Sequence, residues 1–187
     1  VDHDGWRAVV RALEARRFTL VSMWGESDCI HLAVSSDGAI GIFSLACPDQ
    51  SFPSVGVVHP PAIRLERAAH DLFGLMPAGA PDRRPWLDHG RWGIKHPLAA
   101  AAKTPEMSAT PYPFLPAEGE SLHVIPVGPV HAGIIEPGHF RFSVNGEAVV
   151  RLEARLGYVH KAIDLLMGGQ SIDRARRLAG RTSGDST

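Results

Sequence analysis

Proline is concentrated in one part of this 187-residue chain, and that distribution limits what the chain can fold into. Ten of the 15 prolines lie between Pro60 and Pro116. Because proline has no backbone N–H to donate, a segment this rich in proline cannot form the interior of a sheet or a long helix. We therefore expect an extended arm after residue 77 and a Pro-rich linker over 101–121. The linker would separate a first domain, 1–100, from a second, 122–187.

The hydrophobic pattern of the first hundred residues predicts an α+β domain. A helical stripe near the start, with Asp4 as its N-cap, precedes three strands over 18–24, 29–34 and 39–45. Asp37-Gly38 predicts a hairpin turn, because such turns need positive φ angles. A second helix over 61–73 should end before Gly74. We expect a mixed or antiparallel sheet with this second helix packed on it. The first stripe consists of Trp6, Val9, Val10 and Leu13.

The second helix is predicted to have an apolar face and a charged face. The charged side chains fall at i, i+4 spacing, which allows pairs within the helix. A charged helix face is usually exposed to solvent, and the alternative is an interface with another protein. No nucleophile lies beside it, so we do not expect catalysis there. The apolar face is Leu65, Ala69, Leu72 and Phe73, and the charged face is Glu66, Arg67, His70 and Asp71.

Residues 65–74, Leu-Glu-Arg-Ala-Ala-His-Asp-Leu-Phe-Gly, resemble the signature Glu-Arg-Glu-x-x-Asp-Leu-Phe-Gly of the 30 kDa subunit of respiratory complex I. That complex is the proton-pumping NADH:quinone oxidoreductase. The chain departs from the signature at Ala68, where the second Glu is expected. The resemblance implies a component of an electron-transfer complex. It also implies that Glu66, Arg67, Asp71 and Phe73 are signature residues at an interface between subunits.

The pattern after the linker predicts a β-hairpin followed by two helices. A strand is expected over 122–127, and strands over 140–144 and 148–152 flank the turn sequence Asn145-Gly146-Glu147. A helical stripe follows, ended by Gly168-Gly169, and Ser171 should cap a last helix over 172–179. The stripe consists of Val159, Ile163, Leu166 and Met167.

This second region resembles the start of the large subunit of nickel–iron hydrogenases and of the related protein in complex I. The similar segments are 127–131, 136–141 and 157–161, which include Glu-Pro-Gly-His-Phe-Arg. In large subunits of the hydrogenase-4 and formate hydrogenlyase type, a domain like the 30 kDa subunit precedes this region. Their next motif is Arg-x-Cys-Gly-x-Cys, whose thiolates bind nickel. Ser183 and Ser186 stand in place of those cysteines, so we expect no metal site.

The same resemblance implies a quinone-binding loop. In the complex I relatives, a histidine on the first hairpin loop and a tyrosine further along hold the quinone headgroup. His131 and His139 both lie on the matching loop, and His139 is favoured by its place just before the strand. The matching tyrosine would lie beyond residue 187 or be replaced within 183–186. The resemblance therefore implies half of a quinone site.

The composition excludes several other kinds of function. A net charge of -1 gives no electrostatic basis for binding nucleic acid. Cys29 and Cys47 are too few for an iron–sulfur cluster, and we expect reduced thiols rather than a disulfide. No apolar run approaches the ~20 residues that cross a bilayer. No Gly-x-Gly-x-x-Gly motif follows a strand, so we expect no binding of NADH. The ten histidines show no spacing typical of metal ligands.

Our leading hypothesis is a structural and docking subunit of a membrane-bound NADH dehydrogenase-like or hydrogenase-4-like complex, which supports electron transfer to quinone and is inactive alone. Iron–sulfur clusters, flavin and quinone would then belong to partner iron–sulfur and membrane subunits. The chain would be cytoplasmic, on the inner face of the cell membrane through those partners. The alternatives are a fragment of a nickel–iron hydrogenase large subunit and a stand-alone interaction module. In isolation, residues 122–180 would either form a homodimer or be the less stable part.

Overall fold

The computed structural model describes residues 1–101 and 111–183. Within these residues the fold is α+β, as the sequence predicts, with three small sheets and four α-helices. The chain divides into two compact units, Val1–Pro113 and Phe114–Thr187. Residues 102–110 of the predicted linker lie outside the described residues, and residues 111–122 form neither helix nor strand.

The first unit begins with a helix and continues as a sheet, then a second helix. A short 3-10 turn, Pro60–Ala62, leads directly into that second helix, where proline is tolerated because the first N–H groups have no partner within the helix. The elements are α1 His3–Glu14, β1 Thr19–Gly25, β2 Cys29–Ser36, β3 Ala39–Ala46, β4 Ser51–Pro53, α2 Ile63–Phe73 and β5 Met76–Ala78.

Strands β1, β2 and β3 form an antiparallel sheet in that order, and β4 pairs with β5 in parallel. The β2–β3 hairpin turns at Asp37 and Gly38, whose φ angles of 50° and 79° confirm the predicted turn. Ser36 and Ala39 are the pair that closes it. Helix α2 packs against β1, which places the charged helix on the sheet as predicted.

The core of the first unit lies between α1, the sheet and α2. The Trp6 side chain is fully buried, and its Nε1 donates a hydrogen bond to the Pro53 carbonyl at 3.0 Å. Each fully buried large apolar side chain contributes about 1.5–3 kcal/mol to folding. The N-cap of α1 is Asp2 and not Asp4, because the Asp2 carboxylate accepts from the Gly5 N–H. The core residues include Trp6, Leu13, Ile30, Leu32, Leu45, Phe52, Val55 and Leu75.

The second unit consists of a three-stranded antiparallel sheet and two short helices. The predicted hairpin at Gly146 is present, closed by the pair Asn145 and Ala148. The predicted helix that includes Val159 begins only at Ile163, because Ala162 has a φ of 53° and interrupts the right-handed helix. The elements are β6 His123–Val127, β7 His139–Asn145, β8 Ala148–Arg155, α3 Ile163–Met167 and α4 Ile172–Ala179.

One face of the second sheet is apolar and partly exposed. Ile125, Phe142 and Leu152 lie side by side across the three strands. Ile125 is 48% exposed and Leu152 is 55% exposed. Glu153 follows Leu152 on β8, and its carboxylate accepts a hydrogen bond from the Leu115 N–H. Since side chains alternate between the faces of a sheet, Glu153 belongs to the opposite face.

Candidate functional site

The Glu66 carboxylate lies buried at the start of α2 and binds the loop that precedes the helix. Its Oε1 accepts from the backbone N–H groups of Val55, at 2.5 Å, and Gly56, at 3.1 Å. Its Oε2 accepts the Ser54 hydroxyl at 2.8 Å. The side chain is only 1% exposed, and burial raises the pKa of Glu66 although these hydrogen bonds oppose the rise. Glu66 therefore fixes residues 54–56 against α2.

Arg67 binds the Pro-rich arm that follows the first unit's second sheet. The Arg67 guanidinium donates to the carbonyl oxygens of Arg84 and Pro85 and to the Asp82 carboxylate. It also donates to the Tyr112 hydroxyl at 2.9 Å. The hydrogen bonds from Arg84 and the charges of both arginines lower the pKa of Asp82, although burial opposes that. Arg67 is 6% exposed and holds two separate chain segments against one helix.

Asp71 binds the next part of the same arm. One carboxylate oxygen, Oδ2, accepts the backbone N–H groups of Trp86, at 2.8 Å, Leu87, at 2.7 Å, and Asp88, at 3.3 Å. A carboxylate that accepts several N–H groups of a turn fixes the backbone of that turn. The Arg67 guanidinium lies 4.9 Å from the Trp86 ring centroid, so the two α2 residues hold adjoining parts of the arm.

The expectation of a solvent-exposed charged face on α2 is wrong. Glu66, Arg67 and Asp71 are 1%, 6% and 8% exposed, and their partners lie elsewhere in the first unit. The predicted pairing within the helix is replaced by bonds to the loop 54–56 and the arm 82–88. A buried charge is tolerated where hydrogen bonds satisfy it. The three side chains thus act together as an internal clamp on two chain segments.

Sequence reasoning did not identify the partner residues of this clamp. Asp82, Arg84 and Tyr112 all come from the Pro-rich region that we expected to be an arm and a linker. Arg84 donates to the Asp82 carboxylate and to the Pro113 carbonyl, and its guanidinium lies 5.3 Å from the Tyr112 ring centroid. The Asp82-Arg83-Arg84 run was the available signal. Phe73, the fourth signature residue, instead packs against the apolar core.

The second candidate site is the loop between β6 and β7, which contains both predicted histidines. His131 Nε2 donates to the Gly138 carbonyl at 2.7 Å, and His139 Nδ1 donates to the Gly128 carbonyl at 3.1 Å. A carbonyl only accepts, so these bonds fix one tautomer for each neutral ring. Gly128 has a φ of 77°, and a Cβ there would overlap the Gly138 carbonyl and the His131 ring. The loop is therefore closed on itself by its two histidines.

A cavity of about 690 Å³ lies against this loop. His131, Tyr158 and Ser183 line it, together with apolar side chains of the loop. His139 does not line the cavity, and its ring packs on Phe114. Lys161 bonds to the carboxylate of Glu136, a residue that lines the cavity, and to the carbonyl of Thr182, the neighbour of Ser183. Tyr158 and Lys161 were not among the predicted site residues. Ser186 lies outside the described residues.

Among the described residues we find neither a cluster of metal ligands nor a helix that could span a membrane. Within residues 1–101 and 111–183, no group of three or more His, Cys, Asp or Glu side chains is placed to hold a metal ion. The helices of the same ranges are all too short or too polar to cross a bilayer. Cys29 and Cys47 are free, and burial raises the pKa of Cys47 to about 11. A thiol with so high a pKa is mostly protonated and unreactive at neutral pH.

The fold and the clamp define an α+β domain organised by one buried, charged helix, followed by a separate unit with a three-stranded sheet. Residues 1–107 match the family described as the respiratory-chain NADH dehydrogenase 30 kDa subunit. Because this match covers more than half of the chain, the protein belongs to that family. The resemblance drawn from residues 65–74 is therefore confirmed.

The similarity to known proteins extends into the second unit. Hydrogenase-4 component G of Escherichia coli strain K12 is 36% identical over 176 residues, which is 88% of this chain and 31% of that protein. Formate hydrogenlyase subunit 5 of the same organism is 35% identical over 123 residues, or 62% of this chain and 22% of that protein. A carbon monoxide-induced hydrogenase of Rhodospirillum rubrum is 42% identical over 52 residues, 28% of this chain and 14% of that protein. The chain spans less than a third of each relative.

Proposed function

We propose that this chain is a structural and docking part of a membrane-bound oxidoreductase complex related to complex I and hydrogenase-4. It supports electron transfer to quinone and has no catalytic activity alone. The observation that carries the proposal is the similarity to hydrogenase-4 component G, which runs over 176 residues and through both units. The family of residues 1–107 points to the same class of complex. The second unit is then the start of a region like the hydrogenase large subunit or its complex I relative.

The distribution of chemical groups supports a docking role rather than a catalytic one. The clamp residues form their hydrogen bonds inside the first unit, and these include bonds to the hydroxyls beside them, those of Ser54 and Tyr112. With two cysteines, the chain supplies fewer thiolates than the four that an iron–sulfur cluster usually needs. In this proposal, iron–sulfur clusters and flavin belong to partner subunits, and quinone binds on a partner subunit that the cavity beside the β6–β7 loop faces. Those partners also hold the chain on the inner face of the cell membrane.

The apolar row Ile125, Phe142 and Leu152 is the surface that we assign to docking on partner subunits. Exposed, contiguous apolar side chains of this kind mark interaction surfaces in soluble proteins. The row is on the second unit, where two of its three side chains are about half exposed. In isolation, the same row would favour a homodimer through residues 122–180.

The proposal is tested by purifying the tagged chain from membranes of its own cells with mild detergent. Mass spectrometry should identify an iron–sulfur subunit and an antiporter-like membrane subunit in amounts similar to the chain. Leu152→Asp should reduce the recovery of both partners, whereas Leu152→Met, which keeps the surface apolar, should not. Recovery of the chain alone, from the soluble fraction, would contradict the docking proposal and favour a stand-alone module.

The finer part of the proposal is that the cavity beside the β6–β7 loop faces quinone. It is lined by apolar side chains and by the His131 and Tyr158 rings, which suit a flat, mostly apolar molecule with polar ends. In this arrangement His131 contacts the cavity and His139 supports the loop. His131→Gln in the complete complex should raise the KM for quinone, and His139→Gln should lower the stability of the loop. An unchanged KM in His131→Gln would refute this assignment.

A nickel–iron hydrogenase large subunit is the second candidate, favoured by the word hydrogenase in the names of two of the relatives. The chemistry of residue 183 opposes it, because a serine hydroxyl is a poor ligand for nickel where a thiolate is expected. Protein produced in nickel-supplemented medium should contain no nickel after treatment with a chelator. One nickel ion retained per chain in elemental analysis would overturn our preference.

A further inference from the structure

A second cavity, of about 230 Å³, lies in the first unit beside the C-terminal half of α2. It has room for several water-sized groups, since one water occupies about 30 Å³ in the liquid. Its walls come from α2, from the arm over 83–90 and from residues 95–96. The titratable side chains that line it are His70, Asp71, Arg83, Asp88, Lys95 and His96. No part of the proposed function uses this cavity.

The two acids of this cavity already have hydrogen-bond donors. Asp71 accepts three backbone N–H groups of the arm. Asp88 accepts the Gly90 N–H at 2.8 Å. These N–H groups bring partial positive charge to the carboxylates and reduce what the acids contribute to the cavity. Among the described residues, neither acid forms an ion pair with the two cations beside it.

The two cations, by contrast, lack partners. Among the residues that the structure describes, neither Arg83 nor Lys95 makes a hydrogen bond or an ion pair. Both residues are exposed to solvent and line the cavity. Together they present up to eight N–H donors to whatever occupies the cavity, five from a guanidinium and three from an ammonium.

Two histidines complete the wall. The His70 and His96 rings lie 5.2 Å apart, edge to face. The Nδ1 atom of His70 is buried and has no hydrogen-bond partner among the described residues. His96 has a φ of 54°, which is strained for a residue other than glycine. Its ring fits against Gly74, where a Cβ would come within 3.1 Å of the ring. The backbone is thus held in an unfavourable conformation that places His96 at the cavity.

We propose that this cavity binds a small oxyanion of the phosphate or carboxylate type. The geometry provides donors for it: two cations at the mouth and the His70 ring in the wall. His96 donates its Nδ1–H to the Asp71 carbonyl and offers a second N–H only when it is protonated. Charge-assisted hydrogen bonds of this kind are the strong ones in proteins. A bound oxyanion joins the arm to the end of α2 by a contact separate from the hydrogen bonds of Asp71.

The site is expected to be pH-dependent. With neutral imidazoles, the two cations and the two carboxylates have no net formal charge, and protonation of both histidines adds two positive charges. Burial, followed by the charges of His96 and Lys95, lowers the pKa of His70 in the empty cavity. A bound oxyanion offsets that effect and favours the protonated ring. Binding therefore takes up protons and becomes tighter as the pH is lowered from 8 to 6.

The test uses the 187-residue chain, with sodium phosphate and sodium acetate as separate probes at constant ionic strength. Saturable changes in ¹H–¹⁵N spectra should be confined to residues around His70, Lys95 and His96. Replacement of both Arg83 and Lys95 by Ala should weaken binding by about tenfold or more, as expected for loss of charge-assisted hydrogen bonds. The matched control is Arg91→Ala, an exposed arginine of the same arm that does not line the cavity. It should change the affinity less than about twofold.

The two probes distinguish a phosphate site from a carboxylate site. Saturation by phosphate alone identifies a phosphate site, and saturation by acetate alone identifies a carboxylate site. Gly74→Ala, which displaces the His96 ring, should weaken binding even though every charge remains. The proposal is overturned if neither probe saturates, or if the double variant and Arg91→Ala lose affinity equally. It is also overturned if the affinity for acetate, which stays ionised over this range, does not rise between pH 8 and pH 6. None of these results depends on assembly into an oxidoreductase complex.

Discussion

Removing the Glu66 carboxylate should destabilise the first unit strongly, while replacing it with an amide should not. Glu66→Ala leaves the N–H groups of Val55 and Gly56 and the hydroxyl of Ser54 without their acceptor. Each unsatisfied buried donor costs about 1–3 kcal/mol, so the three together cost about 3–9 kcal/mol. Entry of water into the space would bring the loss towards the lower figure. Typical domains have only about 5–15 kcal/mol of stability.

Glu66→Gln keeps the shape and can keep a hydrogen bond to all three groups, with the direction of the bond to Ser54 reversed. The amide oxygen can accept both backbone N–H groups, and the NH₂ group can donate to the Ser54 hydroxyl. The variant also removes an ionisable carboxyl group, whose pKa is raised by burial in the wild type. Because the folded state binds that proton more readily than the unfolded chain, ionisation of Glu66 lowers stability as pH rises from about 4.5 through the raised pKa. Glu66→Gln should therefore lie within about 1 kcal/mol of wild type at pH 7.

Urea denaturation followed by tryptophan fluorescence measures this effect in the first unit alone. The four tryptophans are Trp6, Trp24, Trp86 and Trp92, all in that unit. Ser54→Ala is the matched control, since it removes one of the three donors and should cost about 0.5–1.5 kcal/mol. Equal losses for Glu66→Ala and Glu66→Gln would refute the reasoning, because the hydrogen bonds of the acceptor would then contribute nothing.

Three further predictions concern α2. Arg67→Lys should cost about 1–3 kcal/mol in urea denaturation, because one ammonium cannot reach the four acceptors of the guanidinium; an unchanged midpoint would contradict this. Asp71→Ala should speed amide hydrogen exchange at residues 86–88 by at least about tenfold, with little change in β2. Loss of protection throughout the first unit would contradict the expectation that Asp71 fixes only this part of the arm. Because burial lowers the pKa of His70, the folded state binds its proton less readily than the unfolded chain, so stability should fall as pH drops below about 6.5. His70→Gln should make that fall shallower, as measured by urea midpoints between pH 5 and pH 8.

Local elements of the fold could be predicted because their causes lie within a few residues. The stripe that begins at Trp6 determines which side of α1 is buried, and Asp37-Gly38 specifies a two-residue turn by its φ angles. Gly74 ends α2 with a φ of 79°. The helix expected to include Val159 was wrong at its start, because nothing in the periodicity indicates that Ala162 leaves the right-handed region.

The contacts of the candidate site could not be predicted, because they join residues far apart in the chain. The hydrogen bond from Val55 to Glu66 spans 11 residues, and that from Arg67 to Tyr112 spans 45. A charged helix face gives the same sequence pattern whether it contacts water, another protein or its own loops. Burial distinguishes these cases, and burial depends on where the Pro-rich arm passes. The same limit on prediction from sequence applies to the histidines of the β6–β7 loop, because only the fold shows that His131 lines the cavity.

In this chain, the charged residues of the family signature form an internal clamp. They lie where an interface between subunits was expected, yet their hydrogen bonds are all made inside the first unit. A substitution at Glu66 that weakens a complete complex would therefore act through the shape of the loop 54–56 and the arm, and not through a lost contact with a partner. A direct contact with a partner and an internal clamp predict different results for Glu66→Gln. If the charge itself met a partner, Glu66→Gln would weaken assembly as much as Glu66→Ala, whereas an internal clamp requires that Glu66→Gln assemble normally.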